Sequence, residues 1–196
     1  NSGANPNIPI IGENHSKSPL LNFAFVINQP TIVEALLDHG ADVMTASSPR
    51  MRTALHWATE KNNEKIAIDL INRAKTATRN KAKDPQKANA LFYAWLNQAN
   101  DSGASALHLA AKSSAPDVIQ ILVQAGADYS LKDTAGYTAQ NYLDQKIQAD
   151  EDRKVAAQEA RVRRAEQAEN DRRESAANQQ GLLAVLGGAA IGYATS

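Results

Sequence analysis

The sequence has no cysteine. That excludes disulfides, thiolate catalysis and cysteine-based zinc sites, and it fits the periplasm or the cytosol equally. Aromatics are scarce, at 5% against 43% hydrophobic residues, so any core is mostly aliphatic. There is no excess of charge: 21 Lys and Arg balance 21 Asp and Glu over 196 residues. A neutral chain offers no global attraction for nucleic acid. Phosphate-binding loops of the G-x-x-x-x-G-K-S/T kind are missing, as are H-E-x-x-H and G-x-S-x-G. The histidines assemble into no four-ligand cluster of sensible spacing. The sequence therefore reads as non-enzymatic, with no metal and no cofactor. It begins with Asn1 rather than Met, which suggests a processed or trimmed N-terminus, and what remains contains no signal peptide.

What the chain does have is self-similarity. "TALHWATEKNNEKIAIDLI" begins at Thr53, and "SALHLAAKSSAPDVIQILVQAGAD" begins at Ser105. Ser105 and Thr138 are 33 positions apart, each two residues after a glycine (Gly103, Gly136); Thr53 lies 52 before Ser105, and Ser18 lies 35 before Thr53. Four units emerge, the second followed by a 19-residue insertion (52 less 33). Leu107, Ala110 and Ala111 share one helical face. Pro116 suits a first helical turn, and Val118, Ile119 and Leu122 line the next helix. Gly126 ends that helix, since glycine alone adopts the left-handed conformation cheaply. Each unit is thus a helix–turn–helix pair, unable to cover its apolar face alone but able to do so when stacked.

The hexamer Ser105-Ala106-Leu107-His108-Leu109-Ala110, with Val118-Ile119, Ile121-Leu122 and Gly126-Ala127-Asp128 after it, resembles the ankyrin repeat, whose period is 33 and whose signature is T-P-L-H-x-A. The resemblance covers roughly residues 8 to 146. The usual proline is missing from units two to four, and Lys75-Thr76 replaces the usual Ala-Asp. It implies an all-α, ankyrin-type solenoid of about four repeats over residues 1–146. It also implies a protein-binding function, with finger-like turns and inner helices forming the recognition surface. His56 and His108 are tempting as a catalytic or metal pair; the repeat signature explains both as bonding hydroxyl and backbone groups between units. His39 precedes a helix-ending glycine and suits the helix C-terminus. His15 lies in a polar lead-in.

The insertion has a helix start at Asp84-Pro85, and a helix over about 84–98 follows, with Ala88, Leu91, Phe92, Trp95 and Leu96 at helical spacing. This stripe either packs on the stack or exposes an anchor, with Phe92 inward and Trp95 or Tyr93 at the rim. Lys75, Arg79, Lys81, Lys83 and Lys87 make the segment basic, as a solvated loop or as an attraction for an acidic partner.

From Tyr142 to about Gln180 the chain turns to Ala, Glu, Gln and Arg, with pairs Asp150–Lys154, Glu159–Arg163 and Glu169–Arg173 at helical spacing. These predict a long charged helix over 147–180. Ile147, Val155 and Val162 make only a weak coiled-coil seam. Residues 181–196 form a Gly/Ala-rich apolar tail of about 15 residues, short of the roughly 20 that span a bilayer. Ala184, Gly188, Gly192 and Ser196 recur every four residues, a spacing that permits close helix contact. The tail resembles glycine-zipper segments of bacterial envelope proteins. Membrane contact, self-association and a flexible end all remain open.

The partner expected is another protein, not nucleic acid. The contact residues expected are Arg50, Arg52, Glu60, Lys61, Lys112 and Tyr137 from fingers and inner helices, with Tyr93 and Trp95 from the insertion. The sharper reading is a bacterial inhibitor or self-protection (immunity) protein that masks a partner enzyme. The alternative is an envelope scaffold that assembles through its tail. The bacterial periplasm or envelope is favoured over the cytoplasm, and the sequence does not settle the compartment.

Overall fold

The computed structural model describes residues 5–11, 17–48 and 50–192, so His15 lies outside the described residues. A two-stranded antiparallel hairpin comes first: β1 (Pro9–Ile11) pairs with β2 (Lys17–Pro19), Ile10 opposite Ser18. Then come α1 (Leu20–Val26), α2 (Pro30–Asp38), α3 (Ala54–Glu60), α4 (Glu64–Lys81), α5 (Pro85–Leu96), α6 (Ala106–Ser113), α7 (Pro116–Ala125) and α8 (Ala139–Gly192). The chain divides into two compact units, Asn1–Lys146 and Ile147–Ser196.

In the first unit the helices alternate between two layers. The first helix of each pair stacks on the next, α1 on α3 and α3 on α6, while α4 and α7 pack in the second layer. Leu21, Leu55 and Leu107 on the first helices and Leu37, Leu70 and Leu122 on the second are each at most 1% exposed and belong to one continuous core. Burying each such leucine contributes roughly 1.5–3 kcal/mol. Ala24, Ala58 and Ala110, also buried, hold the helices close. Every pair turns through a left-handed residue: Asn28, Asn62 and Ser114 have φ of 54°, 50° and 53°.

The sequence placed the helix boundaries of the third unit correctly. Pro116 is the first residue of α7, and Gly126 ends it with φ 100°. Asp84 caps α5 by accepting from the Gln86 N–H at 2.9 Å, with Pro85 following.

The structure departs from expectation elsewhere. The first unit is one residue out of register: the N-caps are Pro19, Thr53 and Ser105, so Pro19, not Ser18, matches Thr53. The basic start of the insertion is no loop. Lys75, Arg79 and Lys81 ride on the last turns of α4, because no glycine stands there to stop the helix. The fourth unit is a turn and one helix, which runs on as the 54-residue α8.

In the second unit, described side chains through Leu183 are all exposed, Ile147, Val155 and Val162 included. Glu159–Arg163 and Glu169–Arg173 pair, at 3.6 and 2.6 Å. Asp150 pairs with Arg153 at 3.4 Å instead of Lys154, since i,i+3 is as close on a helix as i,i+4. Helix continues beyond Gln180 to Gly192. Among the described residues no helix is long and apolar enough to cross a membrane.

Candidate protein-binding face

Three finger turns precede the first helices, each closed by a backbone bond: Ser47 N–H to Arg52 O at 2.8 Å, Asn100 to Ala104 at 3.0 Å and Asp133 to Tyr137 at 2.9 Å. The fingers also join each other, through Asp101 N–H to Arg50 O at 3.1 Å and Thr134 N–H to Ser102 O at 3.0 Å. Gly103 (φ 73°) makes that approach feasible: a Cβ there would stand 2.7 Å from the Thr134 nitrogen.

One slot in each unit fastens it to the next. The Thr53 N–H donates to His56 Nδ1 at 3.1 Å, which puts the ring hydrogen on Nε2, and Nε2 donates to Ala104 O at 3.2 Å. His108 repeats this with Ser105 N–H at 3.2 Å and Tyr137 O at 3.1 Å. Asn22 occupies the slot in the first unit and donates from Nδ2 to Arg52 O at 3.0 Å. In all three, the acceptor is the carbonyl just before the next N-cap. Burial pushes the His56 imidazole down to about 4, against the carbonyls of Ala104 and Gln98, with the charge of Arg52 acting in the same direction as burial. These histidines are structural clasps. His39 bonds Ala35 O at 2.7 Å, at the end of α2.

Asn22 differs from the histidines in one respect. Its cap residue, Pro19, has neither an N–H nor a hydroxyl, so Asn22 Oδ1 finds no partner. Its orientation is fixed, because both acceptors facing Nδ2, Arg52 O and Thr45 O, are carbonyls. Trp57 Nε1 and Arg52 Nε are likewise buried without partners. Leaving such a group unpaired costs about 1–3 kcal/mol.

The expected contact residues divide. Arg50 and Lys61 are exposed and take part in no ion pair among the described residues. Tyr137 is exposed on the last finger. Arg52 is not free: it is 8% exposed, its guanidinium lies 4.1 Å over the Trp57 ring, and it pairs with Glu60 at 2.9 Å. Glu60 is thereby engaged too. Lys112 reaches Asp133 Oδ2 at 3.4 Å and covers the Tyr142 ring at 4.2 Å. Burial disfavours the Asp133 charge, yet hydrogen bonds from Tyr142 and the Tyr137 and Ala135 amides outweigh it, and with Lys112 they hold the carboxyl below its ordinary value.

Of the insertion residues expected at the rim, Trp95 is not there. Trp95 is 4% exposed and donates to Val43 O at 3.1 Å, so it belongs to the core with Phe92. α5 packs along α4 in the second layer, and Trp95 meets the segment that leads into the first finger. Tyr93 is half-exposed, with its ring against Gly126. Phe92 and Trp95 at helical spacing show a stripe, and they do not show which layer the stripe meets.

A site missed at the sequence level lies between the first finger and the inner helices. Asn22, Phe23 and Val26 of α1, Trp57 of α3 and Arg50 of the finger line a groove of about 330 Å³. Phe23 and Trp57 fall immediately after the clasp residue, at the variable position of L-H-x-A, and that spacing was the available signal. Among the described residues no three His, Cys, Asp or Glu gather into a metal site.

A family model described as ankyrin repeats, three copies, matches residues 21–133. The chain is also 24% identical over 119 residues to an Arabidopsis thaliana protein named "Putative E3 ubiquitin-protein ligase XBAT31". That match covers 61% of this chain and 24% of the relative, so the chain spans about a quarter of the relative's length.

Proposed function

The chain belongs to the ankyrin-repeat family, and on that premise we propose that it binds another protein through its finger turns and inner helices, and does no chemistry of its own. Ankyrin repeats are protein-interaction modules; the surface and the consequence are the proposal. The observation that carries it is the groove on the finger side, apolar and edged by a free cation. In the second layer α5 covers α4, with Trp95 and Phe92 inside, while Ile32, Ile68, Tyr93 and Val123 stay singly exposed. The finger and inner-helix side keeps Phe23, Val26, Met51 and Tyr137 exposed, with the unpaired cation Arg50 in the groove beside Phe23 and Val26 and Lys61 at the end of α3. Aromatic, methionine and arginine side chains are enriched at interfaces. A partner held there is masked over its contact area, as an inhibitor or self-protection protein masks an enzyme.

The test is a photo-cross-linking amino acid placed at Met51, at Tyr137 or at Val123 of α7, in the intact chain in its native cells. The proposal expects a discrete protein adduct from Met51 or Tyr137 and none from Val123. Capture from Val123 alone contradicts it.

A second reading, assembly through the tail, is favoured by the exposed Leu182 and Leu183 that lead into it. Side chains 184–196 lie outside the described residues. Removing residues 181–196 separates the two readings: assembly predicts a smaller particle by light scattering, and masking predicts unchanged partner affinity.

A further inference from the structure

The groove between α1, α3 and the first finger has features that select its occupant, given the protein-binding reading on which this rests. Its walls are apolar, with Phe23, Val26 and Trp57 facing it, and serine hydroxyls on the finger side. Arg50 is the one charged residue in its lining. Cations cover the aromatics at the corresponding position elsewhere, Arg52 over Trp57 and Lys112 over Tyr142. No such cover lies over Phe23 among the described residues, and its ring stays 38% exposed.

Two polar groups of this lining are unspent. Asn22 is 2% exposed with Oδ1 unpaired, for want of a donor on Pro19. Trp57 Nε1–H is unpaired as well. Both atoms are closed off from solvent, so the occupant is selected by the apolar walls and the rim charge. The cation at the rim calls for a carboxylate.

We propose that this groove binds an extended segment of the partner protein, seating one bulky apolar side chain against Phe23, Val26 and Trp57 with an acidic side chain beside it at Arg50.

The chain has two tryptophans, so two indole N–H signals appear in a ¹⁵N correlation spectrum, and Trp57→Phe assigns them. The probe is a short blocked peptide with an Asp-Leu core, compared with Lys-Leu and Asp-Gly versions. With the intact chain, the Asp-Leu peptide is expected to shift the Trp57 signal and leave that of Trp95 still. The Lys-Leu and Asp-Gly peptides should bind at least roughly tenfold more weakly. Arg50→Glu, at an exposed finger position, should reverse the preference between the Asp-Leu and Lys-Leu peptides, with the Trp95 signal reporting an intact fold. A Trp57 signal unmoved by millimolar Asp-Leu peptide overturns the inference, and so does a preference that Arg50→Glu leaves unaltered. If cross-linking from Tyr137 still captures a partner while Trp57 stays silent, this inference fails and the protein-binding reading stands. If no finger position captures anything, the reading beneath it fails first.

Discussion

His56 donates from Nε2 to the backbone carbonyl of Ala104 at 3.2 Å, across 48 positions of sequence. One imidazole thus closes the cap of its own helix through Nδ1 and ties that helix to the next finger through Nε2. Asn22 and His108 make the same reach to Arg52 and Tyr137. The fingers are held in line by these ties, and the groove beside Phe23 exists because the fingers are fixed.

The tie is sensitive to acid. The folded pKa of His56 is about 4 against an ordinary 6.5, so between these values the unfolded chain binds the extra proton. Its contribution is complete above about pH 6.5 and is lost as pH falls toward 4, up to about 3 kcal/mol. Urea midpoints across that range should fall with pH. His56→Asn should flatten the slope, since Asn141 shows that an asparagine at this spacing can accept from the cap N–H, here Thr138 at 2.9 Å. An unchanged slope in His56→Asn would assign the titration to another group.

Trp95 should matter for stability and not for recognition. It is buried and bonded to Val43 O. Trp95→Phe leaves that carbonyl unpaired and removes packing, a loss of about 1–3 kcal/mol, read as a lower urea midpoint at constant slope. Peptide binding in the groove should be unaffected. A variant as stable as the parent would contradict the placement.

Gly126 and Tyr93 should be coupled. Gly126 has φ 100°, and a Cβ would meet Tyr93 Cε1 at 2.5 Å. Gly126→Ala then suffers both backbone strain, about 1–2 kcal/mol, and a clash with the ring. In a Tyr93→Ala background the clash disappears. A double-mutant cycle by urea unfolding should return a coupling of about 1 kcal/mol, and additivity would show that the ring lies elsewhere.

What the sequence revealed and what it concealed have physical reasons. Thr53 and Ser105 cap helices whose third residue is a histidine, and that local box marks α3 and α6. Gly126 and Asp84-Pro85 fix ends through backbone chemistry that depends on no neighbour. α4 runs on to Lys81 because Ala74 stands where Gly126 ends α7, and one missing glycine does not show how far a helix continues. The shift from Ser18 to Pro19 was hidden because Asn22 replaces the marker histidine. Arg52 reads as a surface cation until Trp57 and Glu60 are seen around it in three dimensions. Trp95 reads as an anchor for the same reason: spacing gives a face, and only packing says which partner the face meets. The groove needed two elements far apart in the chain, α1 and the finger at 47–52, to be brought together.

The most direct test is a pair of matched charge reversals, measured as affinity for the protein captured by the finger cross-links. Arg50→Glu with Lys61→Glu alters a finger and the end of an inner helix, both on the proposed face. Arg79→Glu with Lys87→Glu makes the same change in net charge on the second-layer side. The account predicts that the first pair weakens binding at least roughly tenfold and the second by less than about twofold. Equal losses, or a greater loss from the second pair, would contradict it.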